Sequence, residues 1–260
     1  MNLELAINDA PPPITRLLVW FSAAATSAVA AALALNDKAN GIESRVLYCE
    51  TGGHHPENLR FIHEVSQWIG HTIEIVRNHK YLDLDHVIEK ERLMNSPVGA
   101  KCTQQLKIRV RRELQRAATD LQIFGFHAGE VDRAGDFKTN WPEVRLSCPL
   151  ITRNLFHDDC LALLRDAGIE LPVLYRQGFK NNNCIGCVKG GMGYWNKIRV
   201  LYPEVFARRA KQERMINNSC INGTFLDQLD PESGRYEADP DIACEGHCVT
   251  AKAELRNCDS

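Results

Sequence analysis

No charge of one sign dominates this sequence. Its 260 residues carry 31 Lys and Arg against 33 Asp and Glu, a net charge of −2. That balance excludes the general basic field that draws proteins to nucleic acid. A nucleic-acid contact would need a local patch, and the candidate is Lys107, Arg109, Arg111, Arg112 and Arg116. The plainer reading of that run is a solvated helix face. Internal repeats and low-complexity tracts are also missing, which excludes repeat architectures. The ten cysteines follow no compact, regular spacing, so a small secreted disulfide scaffold is excluded and a reducing cytoplasm is the expected compartment. Cys49, Cys148 and Cys160 read as ordinary buried small hydrophobes.

One stretch lacks charge altogether. Residues 17–35 are long enough for a membrane span or the core of a signal peptide. The segment before them is acidic (Glu4, Asp9), holds Pro11-Pro12-Pro13 and offers only Arg16 as a positive flank. The stretch is Ala-rich rather than Leu-rich. It divides into a strand-like run Leu17–Phe21, a turn of small residues and a helix Thr26–Leu35. The expectation is therefore no membrane association.

Short apolar runs rich in Val, Ile and Leu recur at Leu17–Phe21, Arg45–Cys49, Thr72–Val76, Gln122–Phe126 and Arg145–Leu150, as buried parallel strands do. Helical patterns separate them at Thr26–Asp37, Pro56–Ile69, Leu84–Met94, Gln104–Ala118 and Asp158–Ala167. Strand–helix alternation predicts an α/β fold: a doubly wound, mostly parallel five-stranded sheet with helices on both faces. Residues 1–14 read as an N-terminal arm and 15–171 as the α/β domain; 172–260 read as a Cys-rich lobe and tail, with helices at Trp195–Leu201 and Pro203–Ile216. Ligands of such sheets bind beyond the carboxyl ends of the strands, so the turns there are the place to look for chemistry.

The turn after the first strand, Ser22-Ala23-Ala24-Ala25-Thr26-Ser27, enters a helix. Backbone N–H groups and the helix dipole converge at such a turn, and Ser22, Thr26 and Ser27 add hydroxyl donors, a potential phosphate cradle. The same small residues also suit a tightly packed crossover. Cys184-Ile185-Gly186-Cys187 brings two thiols to one turn, with Gly186 allowing a sharp bend, and Cys102 lies far upstream. Thiolates so placed suit an iron–sulfur centre, structural zinc or a dithiol pair.

Read in order, these pieces resemble the phosphoadenosine phosphosulfate reductase family. The resemblance rests on Glu50-Thr51-Gly52, Pro56-Glu57-Asn58, Cys102-Thr103 with Lys107, Gly125 to Arg133, Pro149-Leu150-Ile151 and Cys184-Ile185-Gly186-Cys187, and covers roughly residues 15–210. It implies an adenine nucleotide as substrate or ligand, held by the Ser22–Ser27 turn, the Glu50-Thr51-Gly52 turn and Gly129, with Lys107 and Arg133 near the phosphate or sulfate. It implies a 4Fe–4S cluster on Cys102, Cys184 and Cys187, with structural zinc as the alternative. The family's usual fourth ligand, a cysteine beside the first, is missing here, since Lys101 and Thr103 flank Cys102. Cys244 or Cys248 of Ala243-Cys244-Glu245-Gly246-His247-Cys248 is the candidate replacement, and His247 would be a further ligand for zinc. Cys244-Glu245-Gly246-His247 is also similar, one residue out of register, to the tail motif whose cysteine attacks the sulfonyl sulfur.

The implied activity is sulfonucleotide reduction with a thioredoxin-like reductant. The alternatives are ATP-activated sulfur transfer to nucleic acid, with the basic run Lys107–Arg116 as the contact surface, and a non-catalytic nucleotide-binding module. A homo-oligomer is expected. Two departures stand out. Ala23-Ala24-Ala25 replaces the family's glycines, and a Cβ where φ must be positive costs about 1 kcal/mol or more. His127 stands where arginine is common, which removes a permanent positive charge.

Overall fold

The computed structural model describes residues 11–96 and 99–235. Five parallel strands, β1 (Arg16–Phe21), β2 (Glu43–Cys49), β3 (Ile73–Val76), β4 (Asp120–Ile123) and β5 (Arg145–Ser147), form one sheet in the order β3-β2-β1-β4-β5. The chain starts at the centre, winds outward to β3, then returns to β4 beside β1. The strand order thus reverses between β1 and β4, and a crevice opens there at the carboxyl ends.

Side chains alternate across β1. Leu17, Val19 and Phe21 join a core with α1 (Ala25–Asp37), α2 (Asn58–Trp68) and α8 (His157–Asp166). Trp20 packs on the opposite face against Ile108, Phe124, Phe126, Phe137, Trp141 and Val144. This is the two-faced sheet that the alternation predicted. The charge-free stretch is β1, a turn and α1, as its internal division suggested. Its alanines have a physical reason: Ala25, Ala28, Ala30 and Ala31 are all buried, and α1 lies between the sheet and α8, where only small side chains allow close approach. Among the described residues no helix is long and apolar enough to cross a membrane.

The remaining helices are α3 (Leu84–Glu91), α4 (Lys101–Thr103), α5 (Arg109–Leu114), α6 (Val131–Asn140), α7 (Pro149–Thr152), α9 (Val173–Arg176), α10 (Met192–Leu201) and α11 (Pro203–Ile216). A π-helical turn, Gln104–Ile108, joins α4 to α5. A second core joins Tyr81, Leu84 and Val87 to Trp195, Ile198 and Leu226, so the C-terminal segments are fastened to α3.

Several details differ from the sequence reading; the helix expected over Gln104–Ala118 is a π-turn followed by α5, which ends at Leu114. β4 leaves the sheet after Ile123, and Phe124 and Phe126 turn into the second-face core instead. β5 stops at Ser147, because Pro149 opens α7 at the position where a missing N–H costs least. α6 was not anticipated: only Phe137 of its ten residues is buried, so the apolar period is almost silent.

The amino ends of the strands are closed by a salt bridge. Arg16 and Asp120 stand opposite each other in the β1–β4 register. The Arg16 guanidinium donates to both Asp120 oxygens at 2.8 and 2.6 Å and to the Leu114 carbonyl at 2.9 Å. Asp120 also accepts from the Arg116 N–H at 2.6 Å.

Candidate active site at the carboxyl ends of the strands

The turn after β1 is closed on itself. The Ser27 hydroxyl accepts from the N–H groups of Ser22 (3.0 Å) and Ala24 (3.3 Å) and donates to the Ala24 carbonyl (2.9 Å). Ser27 therefore shapes the loop from inside. Ser22, Ala24 and Thr26 face a cavity of about 690 Å³. Ala23 has φ +59°, the left-handed conformation that glycine takes without strain and that costs a residue with a Cβ. The Asn182 side chain holds it there, donating to the Ala23 carbonyl at 2.7 Å and to Asn58 Oδ1 at 2.9 Å.

That cavity is cationic. Lys107, Arg133, Arg165, Arg176 and Lys180 line it against Glu130 and Asp158, with His54, His127 and His157 also in its wall. Arg133 pairs with Glu130 and sits over the Phe126 ring at 5.3 Å. Arg176 pairs with Glu57 at 3.0 Å and with Glu170. The residual positive field and the nearby amino terminus of α1 suit a polyanion.

Lys107 and Arg133 thus face one cavity. Ser22 and Thr26 face it too. Glu50, Gly52 and Gly129 do not line it. The Glu50 carboxylate accepts from the Gly52 N–H at 2.6 Å, and the Gly129 N–H donates to His127 Nδ1 at 3.1 Å, so these residues build turns. Arg165, Arg176, Lys180 and His157 were not singled out from sequence, because no local motif marks them; they lie in or near α8, α9 and the Asn181-Asn182-Asn183 loop.

Cys102, Cys184 and Cys187 line one cavity beside the same lysine. It is small, about 10 Å³, and Thr51, Leu84, Thr103, Lys107 and Val188 complete its wall. The Cys-x-x-Cys turn is fixed on both sides. The Ile185 N–H donates to the Gly53 carbonyl at 2.8 Å. The Tyr194 hydroxyl accepts from the Cys187 N–H at 2.9 Å and donates to the Cys184 carbonyl at 3.1 Å. Gly186 has φ +70°, and a Cβ there would stand 2.6 Å from Val205 Cγ1. Among the described residues no three His, Cys, Asp or Glu side chains converge closely enough to hold a metal ion. Cys244, His247 and Cys248 lie outside the described residues.

A third cavity, of about 50 Å³, opens behind the β1 turn. Its walls are Trp20, Phe21, Ser22, Tyr48, Cys49, His54, Lys107, Ile108, Arg111 and Phe124. Cys49 therefore lines a cavity instead of filling a core. Burial pushes its thiol up to about 11, against the pull of Lys107 and Arg111. Burial drives His54 down to about 3, with Lys107 adding to the effect. It is neutral at physiological pH, so its 4.0 Å approach to Glu50 is not an ion pair. His54 Nδ1 lies 2.6 Å from the Tyr48 hydroxyl and 3.2 Å from Thr51 Oγ1, and Thr51 Oγ1 lies 3.2 Å from Cys184 Sγ. This chain of contacts links the third cavity to the cysteines.

The basic run does not form one solvated face. Arg111 is only 4% exposed and stacks over the rings of Trp141 (4.3 Å) and Phe137 (4.9 Å). Burial pushes its guanidinium down to about 9, with Glu143 opposing. Lys107 lies on the π-helical turn and lines all three cavities. π-turns recur at functional sites because the extra residue re-aims side chains.

The sequence model of the phosphoadenosine phosphosulfate reductase domain matches residues 16–190, and the chain belongs to that family. No curated protein matches the chain. Among solved structures it is similar to the phosphoadenylyl-sulfate (PAPS) reductase from Candida auris in a phosphate complex, at 12% identity and a TM-score of 0.45, over 69% of this chain and 84% of that one.

Proposed function

We propose that this chain is a sulfonucleotide reductase-like enzyme that holds an adenine nucleotide with its phosphate and sulfate groups in the 690 Å³ cavity. The observation that carries the reading is Lys107, which lines the cationic cavity, the cavity behind the β1 turn and the cysteine-lined cavity at once. Lys107 and Arg133 would neutralise the anion while a thiolate attacks the sulfonyl sulfur. In that step an S–S bond forms to Cys244, the bond from sulfur to the phosphate oxygen breaks, and the nucleotide leaves as its phosphate. A thioredoxin-like dithiol then attacks the Cys244 sulfur, releases sulfite and is itself oxidised to a disulfide. Lys107 would stabilise the leaving phosphate.

Cys102, Cys184 and Cys187 would hold the 4Fe–4S cluster. The donor type fits, three soft thiols with no carboxylate in the wall and a lysine beside them to offset the charge of bound thiolates, although the three do not converge on one metal position in this structure. The cavity is small, so loading requires the Cys-x-x-Cys turn and α4 to separate. Bound there, a cluster would place iron–sulfur chemistry next to the anion site. The protein is proposed to act in the cytoplasm.

The test is sulfite release under anaerobic conditions from adenosine 5′-phosphosulfate and its 3′-phosphorylated form, with a dithiol reductant. Wild type releases sulfite from one of them, and Lys107→Ala slows release by about 100-fold, the scale of losing one electrostatic contact in an active site. No sulfite from either nucleotide rejects the reading. Iron, acid-labile sulfide and zinc are counted on the same preparation. Iron and sulfide in equal amounts, lost in Cys187→Ser, support the cluster; stoichiometric zinc instead makes these cysteines structural.

A further inference from the structure

Four side chains, Tyr48, His54, Thr51 and Cys184, run in contact from the β2 strand to the Cys-x-x-Cys turn, and all four are buried. Counting donors and acceptors assigns the protons along that line. His54 is neutral, so one ring nitrogen carries a proton and the other accepts. Nδ1 lies 2.6 Å from the Tyr48 hydroxyl. A phenol is the better donor and an imidazole nitrogen the better acceptor, so Tyr48 donates to Nδ1 and takes up its one lone pair. That leaves the Thr51 hydroxyl a single course. Its oxygen accepts from the Gly53 N–H at 3.3 Å. Its proton has two acceptors at 3.2 Å, His54 Nδ1 and Cys184 Sγ. Tyr48 already occupies the first, so the proton turns to the sulfur. The approach is close because residue 53 is glycine: a Cβ there would stand 3.1 Å from Cys184 Cβ and 3.2 Å from its sulfur.

We propose that Tyr48 and His54 are positioning residues that commit the Thr51 hydroxyl to the Cys184 sulfur and so stabilise negative charge on it. Neither touches the sulfur. Tyr48 acts by filling the acceptor that would otherwise draw the Thr51 proton away, and His54 is that acceptor. A hydrogen bond to a sulfur favours its charged form, the form that binds soft metals and attacks electrophiles. The inference rests on the reading of Cys184 as a working thiolate, and it adds how that sulfur is prepared. It needs neither a nucleotide nor a bound cluster to be true.

The experiment is alkylation of the metal-free, full-length protein by iodoacetamide at one neutral pH. The rates at Cys184 and Cys187 are read separately from fragment ions of the tryptic peptide 181–189. It is run on wild type, Thr51→Val, Tyr48→Phe and the double variant Tyr48→Phe/His54→Leu, with each fold checked by circular dichroism. Thr51→Val should slow Cys184 about fivefold, the scale of one net hydrogen bond, and leave Cys187 unchanged. Tyr48→Phe should slow Cys184 by a similar factor, because Nδ1 is then open to the Thr51 proton. Adding His54→Leu removes the rival acceptor and should restore the wild-type rate. A merely structural pair would do the reverse, since the second substitution would add damage to the first. An unchanged Cys184 rate in Tyr48→Phe, no recovery in the double variant, equal slowing of Cys187, or a Cys184 inert in wild type overturns the proposal. Sulfite release and iron content are separate measurements, so the functional reading can fail while this result holds, and the reverse.

Discussion

Two arginines of this protein are almost equally buried, and they sit at opposite ends of the sheet. Arg16, 3% exposed, closes the amino ends and gives two bonds to Asp120 and one to a backbone carbonyl. Arg111, 4% exposed, stands near the carboxyl ends, lies on two aromatic rings and meets no acceptor. Desolvating a guanidinium costs the same at either end. At one end the fold supplies the partner and gains rigidity. At the other it leaves the partner out, and that is where the cavities and the cysteines are. The contrast separates the part of the molecule that is built to stay closed from the part that is built to receive something.

Breaking the closed end should have the largest effect. Asp120→Ala leaves Arg16 buried without its carboxylate and should cost about 3–5 kcal/mol in urea unfolding. A loss below about 1 kcal/mol would mean that the two ends are alike after all. The open end should respond with the opposite sign. Arg111→Met keeps the packing on Trp141 and Phe137 and removes an unpartnered charge, so it should raise stability by about 1–3 kcal/mol. Destabilisation would show that Arg111 is structural.

His54 sharpens the same contrast through pH. Its folded pKa of about 3 lies below the unfolded value of 6.5, so the unfolded chain binds the extra proton between them. Stability is full above about pH 6.5 and falls as pH drops toward about 3, with a slope of up to about 1.4 kcal/mol per pH unit from this group. His54→Gln should flatten that part of the pH profile measured by thermal unfolding. An unchanged profile would mean that His54 titrates normally. The smallest effect belongs to the β1 turn. Ala23→Gly removes a strained Cβ and should change stability by no more than about 1 kcal/mol, as relief of φ +59° is set against added freedom in the unfolded chain.

The loop also shows how legible the chain was. The split of residues 17–35 into strand, turn and helix could be read from the absence of charge together with small size, because burial on two sides demands both. The positive φ at Ala23 was foreseeable from the glycine that its family prefers there. α6 was hidden, since a helix with one buried side chain leaves almost no period to detect. Arg165, Arg176 and Lys180 were hidden because a cationic wall assembled from separate segments has no local spacing.

Sequence alone determined the alternation of strands and helices, the charge balance and the family, because these depend on local periodicity and on motifs in order. Tertiary structure decided the rest. Lys107 became the shared wall of three cavities because a π-turn sets it there beneath the β1 and β2 turns. Arg111, which reads as one more solvated charge in a basic run, became a buried donor because α6 brings Phe137 and Trp141 across it. Burial is a property of what packs on a residue, and for Arg111 those partners come from far along the chain.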